Sequence, residues 1–183
     1  MNSDNLIFTK PLLSVPLIGE SSCFIIQRLP VGLIPDRMPK ESAKPSSDVF
    51  SAQVAALPFR VVDGRFEILL VTSRETKRWL IPKGWPMKGK KPHKAAAQEA
   101  EEEAGVKGRI YDKPMGYYDY WKRRAEHFDL CRVDVYPLRV SKQLKVWKEK
   151  DQRDLRWFDV DEAAHRVLEP ALAEMIRNLP KQV

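Results

Sequence analysis

Three glutamates at helical spacing are the part of this sequence best suited to chemistry. Glu99 and Glu103 are four residues apart and Glu99 and Glu102 three, so on a helix they share one face, while Glu101 points roughly the other way. Like charges crowded on one face repel each other and weaken an isolated helix. Divalent cations among them would remove that repulsion, and hard cations such as Mg²⁺ take oxygen ligands. A solvated acidic face is the commoner meaning of such a triplet, so the surrounding residues decide. A loop opens at Gly84, Pro92 suits the first turn of a helix, and Gly105 suits the position just past its end. Between Pro92 and Gly105 lie mostly alanines and glutamates, which are strong or acceptable helix formers.

The stretch Gly84 to Val106 resembles the Nudix box. Gly84, Glu99, Glu102, Glu103, Gly105 and Val106 stand in its register, with Ala100 as the small aliphatic. Two positions depart: Lys90 stands where the family has Glu, and Gln98 where it has Arg, a pair that braces the loop against the helix in the family. The resemblance implies a Nudix fold, an α/β/α sandwich around a mixed β-sheet, and hydrolysis of a pyrophosphate linkage with Mg²⁺, or Mn²⁺ as a substitute. It also implies Glu99, Glu102, Glu103 and the Gly84 backbone as the metal site, with Glu103 and Glu102 as catalytic residues. Gln53 to Leu179 is similar to the diphosphoinositol polyphosphate and diadenosine polyphosphate phosphohydrolase branch, through Phe66–Val71, Ser73-Arg74, Arg78-Trp79, Ala104–Gly108, Trp147 and Arg156-Trp157-Phe158. Trp85 departs from that branch, which carries a second glycine there.

A polyphosphate needs cations for its remaining oxygens, and the fork of Arg binds them two at a time. The candidates for substrate binding are Ser73, Arg74, Arg78, Lys83, Lys88, Lys90, Arg123 and Arg124, with Lys90 read as a phosphate contact released from the brace. Trp79, Trp85 and Tyr117–Trp121 are candidates to stack a base, although aromatic residues in a sheet are more often core. His93, His127 and His165 are too scattered for a zinc site. The competing enzymatic reading is an ADP-ribose or nucleotide-sugar pyrophosphatase. The competing non-enzymatic one is a Nudix-fold module that binds a phosphorylated ligand or RNA without cleaving it.

The bulk composition agrees with a polyanion ligand. The chain of 183 residues has a formal net charge of +7. Residues 1–52 carry equal numbers of basic and acidic side chains, so the excess lies with the acidic helix in 53–183, and a basic surface around an acidic centre suits phosphates. Two cysteines make no disulfide framework, and no apolar run reaches the length of a membrane span, which points to a cytoplasmic protein. The partner expected is a phosphorylated small molecule and not a membrane; nucleic acid is possible but not favoured, and a homodimer is left open.

Residues 1–50, punctuated by six prolines, read as an N-terminal extension, flexible or peripherally packed, and 51–183 as the catalytic domain. Asp63-Gly64 between apolar runs predicts a β-hairpin over Val54–Thr72. Trp79–Ile81 is a short strand feeding the Gly84 loop. After the helix come strands at Arg109–Tyr111, Met115–Tyr120, Glu126–Leu138 and Leu155–Val160, with a basic tip at Trp121–Arg124. Asp159 or Asp161 is suited to cap a following helix, and Pro170 to start the last one.

Overall fold

The computed structural model describes residues 50–183; the rest of the expected extension, including Cys23, lies outside them. The hairpin forms as its turn dictates. Asp63 and Gly64, at φ of 50° and 76°, join β1 (Ser51–Val62) to β2 (Arg65–Thr72), and two left-handed residues give the turn whose twist matches that of paired strands. There follow β3 (Trp79–Leu80), β4 (Lys83–Gly84), α1 (Pro92–Ala104), β5 (Val106–Ile110), β6 (Gly116–Arg123), β7 (Phe128–Gln143), β8 (Leu155–Asp159), α2 (Val160–Arg166) and α3 (Pro170–Asn178).

All eight strands belong to one sheet in the order β3-β2-β1-β7-β5, with β4 also paired to β1, β6 to β7 and β8 to β2. β1 and β7 run parallel and their other pairings are antiparallel, so the sheet is mixed. Alternate residues of β1 face opposite sides. Val54 and Ala56 meet α1 through Ala95, Ala96, Ala100 and Ala104, while Ala55, Leu57 and Phe59 meet α2 and α3 through Ala163, Leu172 and Ile176. The alanine face lets the α1 backbone approach the sheet closely and leaves Glu99 and Glu103 beside β4. The result is the expected α/β/α sandwich. No helix among the described residues is long and apolar enough to cross a membrane.

Several boundaries differ from expectation: β5 starts at Val106 and not at Arg109, and Val160, read as the end of a strand, opens α2. β7 continues past Leu138 to Gln143 because its polar end pairs with β5, Lys107 opposite Lys142 and Val106 opposite Gln143. Three of the four residues of the expected basic tip, Trp121–Arg123, are strand, and the turn is at Arg124–His127, closed by the Arg124 N–H donating to the His127 carbonyl (2.8 Å).

The end of α1 organises the connection between β7 and β8. Gly105 takes a left-handed conformation (φ 64°), and its N–H donates to Glu101 O (3.0 Å). The connection then answers the last carbonyls of the helix: Gln143 Nε2 donates to Ala104 O (3.0 Å), the Leu144 N–H to Gly105 O (2.7 Å) and the Glu149 N–H to Glu102 O (3.0 Å). Trp147 lies flat on Gly105, where a Cβ would stand 2.5 Å from the ring. Gly64 shares the left-handed backbone but faces open space. We therefore expect Gly64→Ala to cost the backbone strain alone, about 1 kcal/mol, and Gly105→Ala to cost about 2 kcal/mol or more because Trp147 must move. In thermal unfolding Gly105→Ala should lower Tm by about 4–8 °C, the larger of the two shifts; equal shifts would show that Trp147 adjusts freely.

Candidate active site

Glu99 and Glu103 project from α1 toward β4. The Glu99 carboxyl fills the space beside the Gly84 Cα, so that any Cβ there would overlap it. Glycine at 84 permits this placement of the Glu99 carboxyl; a larger residue would displace it, and the backbone angles make no demand of their own. Glu103 lies deeper, 7% exposed, and accepts from the Lys83 N–H (3.2 Å) and from Arg153 Nη2 (2.5 Å). Burial raises both carboxyls. For Glu103 it outweighs Arg153 and Lys83 and pushes the group up to about 7; for Glu99 the neighbouring Glu102 adds to it. Glu102 is turned outward, held by Lys148 Nζ (2.5 Å) and Gln98 Nε2 (2.6 Å), and these bonds keep it below the usual carboxylate range. Glu101, on the other side of α1, pairs with Lys107 (2.7 Å).

The docked β7–β8 connection supplies residues that the sequence reading missed. Arg153, buried, reaches Glu103, Glu149 (2.8 Å) and the Thr72 carbonyl (2.9 Å). Glu149 lies on the same cleft as Glu99, Glu102 and Glu103, as do Lys148 and Lys122. In sequence, 142–156 is dense in alternating charge and looks like a solvated loop; Trp147 was the only sign that it packs.

The brace has been rebuilt in place. Lys90 Nζ donates to Gln98 Oε1, whose amide then donates to Glu102. Loop and helix are still tied at the same two positions, with donor and acceptor exchanged: the loop residue now donates and the helix residue accepts. Lys90 faces a separate groove lined also by Lys91, Lys94 and Lys107, so the expected release of Lys90 toward phosphate is not what the structure has.

The other candidates divide into two groups. Ser73, Arg74, Arg78, Lys83 and Arg123 line a basic cleft of about 520 Å³, which shares Arg74, Lys83, Lys122 and Arg153 with the carboxylate cleft of about 440 Å³. Within it Ser73 Oγ accepts from the Arg78 N–H (3.2 Å), Arg78 is held by Glu169 (2.7 Å), and burial lowers the Lys83 ammonium. Arg124 is bound to Asp129 (2.7 Å) and lines neither cleft, nor does Lys88. Of the aromatic candidates, Trp79 packs edge-on against Phe158 and Tyr118 is buried, whereas Trp85 and Trp121 are exposed.

Among the described residues no three acidic or imidazole side chains already converge into a metal cage, because Glu102 is turned to Lys148 and Glu103 is held by Arg153. The donor set nevertheless fits a hard divalent cation. Its ligands are all oxygen, two of its carboxyls are short of counter-charge, and Gly84 leaves room for Glu99 against the backbone.

The family profile for the NUDIX domain matches residues 51–179. Nudix hydrolase 13, mitochondrial, of Arabidopsis thaliana is 27% identical over 165 residues, covering 85% of this chain and 76% of that protein. Diphosphoinositol polyphosphate phosphohydrolase 3-beta of Homo sapiens is 32% identical over 147 residues, covering 77% and 85%. The crystal structure of the C. elegans Ap4A hydrolase superposes with a TM-score of 0.54 at 16% identity, covering 72% of this chain and 97% of that one, a likeness of fold.

A cation bound at Glu103 competes with the proton that burial keeps there below pH about 7. Calorimetric Mg²⁺ titrations should therefore show proton release at pH 6 and almost none at pH 8.5, with apparent affinity falling as pH falls through 7. Glu103→Gln should reduce the release at pH 6, leaving only what Glu99 contributes; release unchanged in that variant would place the cation elsewhere.

Proposed function

This chain belongs to the Nudix hydrolase family, and on that premise we propose that it is a divalent-metal-dependent hydrolase of a pyrophosphate bond in a highly phosphorylated small molecule, of diadenosine polyphosphate or diphosphoinositol polyphosphate type. The observation that carries this reading is the continuity of two clefts, one lined by carboxylates and cations together and the other mainly by cations. One holds Glu99, Glu102, Glu103 and Glu149, the other Arg74, Arg78, Lys122 and Arg123, and Arg74, Lys83, Lys122 and Arg153 are common to both. A phosphate chain lying across that junction would meet carboxylates at one section and cations along the next.

In this reading Glu99 and Glu103, with the Gly84 backbone and Glu102, hold Mg²⁺, which when bound neutralises and orients the phosphates. The attacking water forms a P–O bond as the bridging P–O bond breaks. Its proton passes to Glu103, the carboxylate set deepest in the cleft. Arg74 and Arg78 bind the departing phosphates. Glu102, ionised and held outward, completes the negative face and is the weaker candidate for the base. Residues 51–183 form the catalytic domain, and the two-cysteine composition supports placing it in the cytoplasm.

Phosphate release with Mg²⁺ or Mn²⁺ should be measured on diadenosine polyphosphates, diphosphoinositol polyphosphates, ADP-ribose and nucleoside triphosphates. The more highly phosphorylated substrates should be preferred over ADP-ribose. Glu103→Gln should lower kcat by about 10²–10⁴-fold, and Glu101→Gln, across the helix, should leave it within about twofold. Preference for ADP-ribose would favour the nucleotide-sugar class. No cleavage at all, with metal bound, would favour a module that binds its ligand intact.

A further inference from the structure

Trp85 is not explained by the catalytic assignment. It directly follows β4, pairs with no strand, and presents an indole 40% exposed at the wall of the carboxylate cleft. Its ring lies under two cations of the β6–β7 hairpin: Lys122 Nζ is 4.7 Å from the ring centroid and Arg124 Cζ 5.9 Å. An indole face attracts a cation at such distances.

The two cations differ in what else holds them. Asp129 stands directly across the ladder from Lys122, the position from which a carboxylate would neutralise it. That carboxylate is instead taken by Arg124 (2.7 Å) and His127 (3.1 Å). Among the described residues Lys122 makes no ion pair, and it faces the clefts that also hold Arg74, Lys83 and Arg153. Repulsion and the rotamer freedom of a lysine both favour its swinging away into solvent. The Trp85 ring opposes that and keeps the ammonium at the point where the two clefts meet.

We propose that Trp85 is a specificity-determining positioning residue: by holding Lys122 at the junction it selects ligands whose phosphate chain extends beyond the pyrophosphate unit lying on the carboxylates, that is, chains of three or more phosphates. This rests on the polyphosphate reading of the same cleft. A pyrophosphate at the carboxylates need not reach Lys122, whereas a longer chain crosses the junction and gains a cation whose mobility has already been restricted.

The test is binding, which needs no turnover. Inorganic tripolyphosphate and pyrophosphate are titrated into the Mg²⁺-loaded full chain and into Trp85→Leu, Trp85→Phe, Lys122→Gln and the Trp85→Leu/Lys122→Gln double variant. Trp85→Leu should weaken tripolyphosphate by about 3–10-fold and pyrophosphate by less than about twofold. Trp85→Phe, which keeps a π face, should recover most of the loss. The double variant should be no weaker than the worse single one, since tryptophan acts through the lysine. Equal losses for both ligands, or losses that multiply in the double variant, would overturn the proposal, as would no change in either. Failure of the hydrolase reading looks different: no substrate is turned over, while the tripolyphosphate-to-pyrophosphate ratio still reports on Trp85.

Discussion

Glu103 and Arg153, both buried and 2.5 Å apart, form the contact on which the remainder of the site depends. A carboxylate set into the wall of a sandwich loses its hydration, and removing the cation bonded to it would leave a charge whose burial costs several kcal/mol. Arg153 is there because the β7–β8 connection is docked on the end of α1. The docking in turn depends on the left-handed Gly105, the Trp147 ring on it, and helix carbonyls that need donors. A capping requirement thus delivers a buried arginine to Glu103. The same connection brings Lys148 to Glu102 and Glu149 to Arg153. The helix tolerates three glutamates on one face because cations from another part of the chain bond two of them, Lys148 to Glu102 and Arg153 to Glu103, and Gly84 makes space for the third.

Counter-charge also divides the labour among the carboxylates. Glu102 is fully compensated and stays ionised, while Glu103 and Glu99 are buried more deeply than they are compensated and hold protons more tightly. The two under-compensated groups flank Gly84, where an added cation would be stabilised most. Around them the surface is positive, and the β6–β7 hairpin carries that charge over the cleft. Phosphates and a divalent cation are mutually suited to this arrangement: each supplies the charge that the other's surroundings lack.

Much of this was legible in the sequence, for local reasons. Pro92 and Gly105 bound α1 to the residue, Asp63-Gly64 sets the hairpin, and the i, i+3, i+4 spacing puts Glu99, Glu102 and Glu103 on one face. Asp159, expected as a cap, accepts from the Glu162 N–H at 2.7 Å. What escaped was non-local. The parallel pairing of β1 with β7 joins segments some eighty residues apart, and the extension of β7 to Gln143 depends on β5 pairing with a polar segment. Arg153 and Glu149 sit in a charge-rich stretch that solvent would explain equally well. Lys90 and Gln98 misled for a chemical reason: losing Glu and Arg looks like losing the brace, but lysine and glutamine can make the same link with the proton donor on the opposite side.

The most direct test of the central claim is a crystal structure with Mn²⁺, reading the anomalous signal and the Arg153–Glu103 contact together. Mn²⁺ should lie between Glu99 and Glu103 beside Gly84, with the 2.5 Å contact of Arg153 to Glu103 lengthened or broken. Mn²⁺ bound elsewhere, or absent at millimolar concentration with the Arg153–Glu103 contact intact, would contradict it.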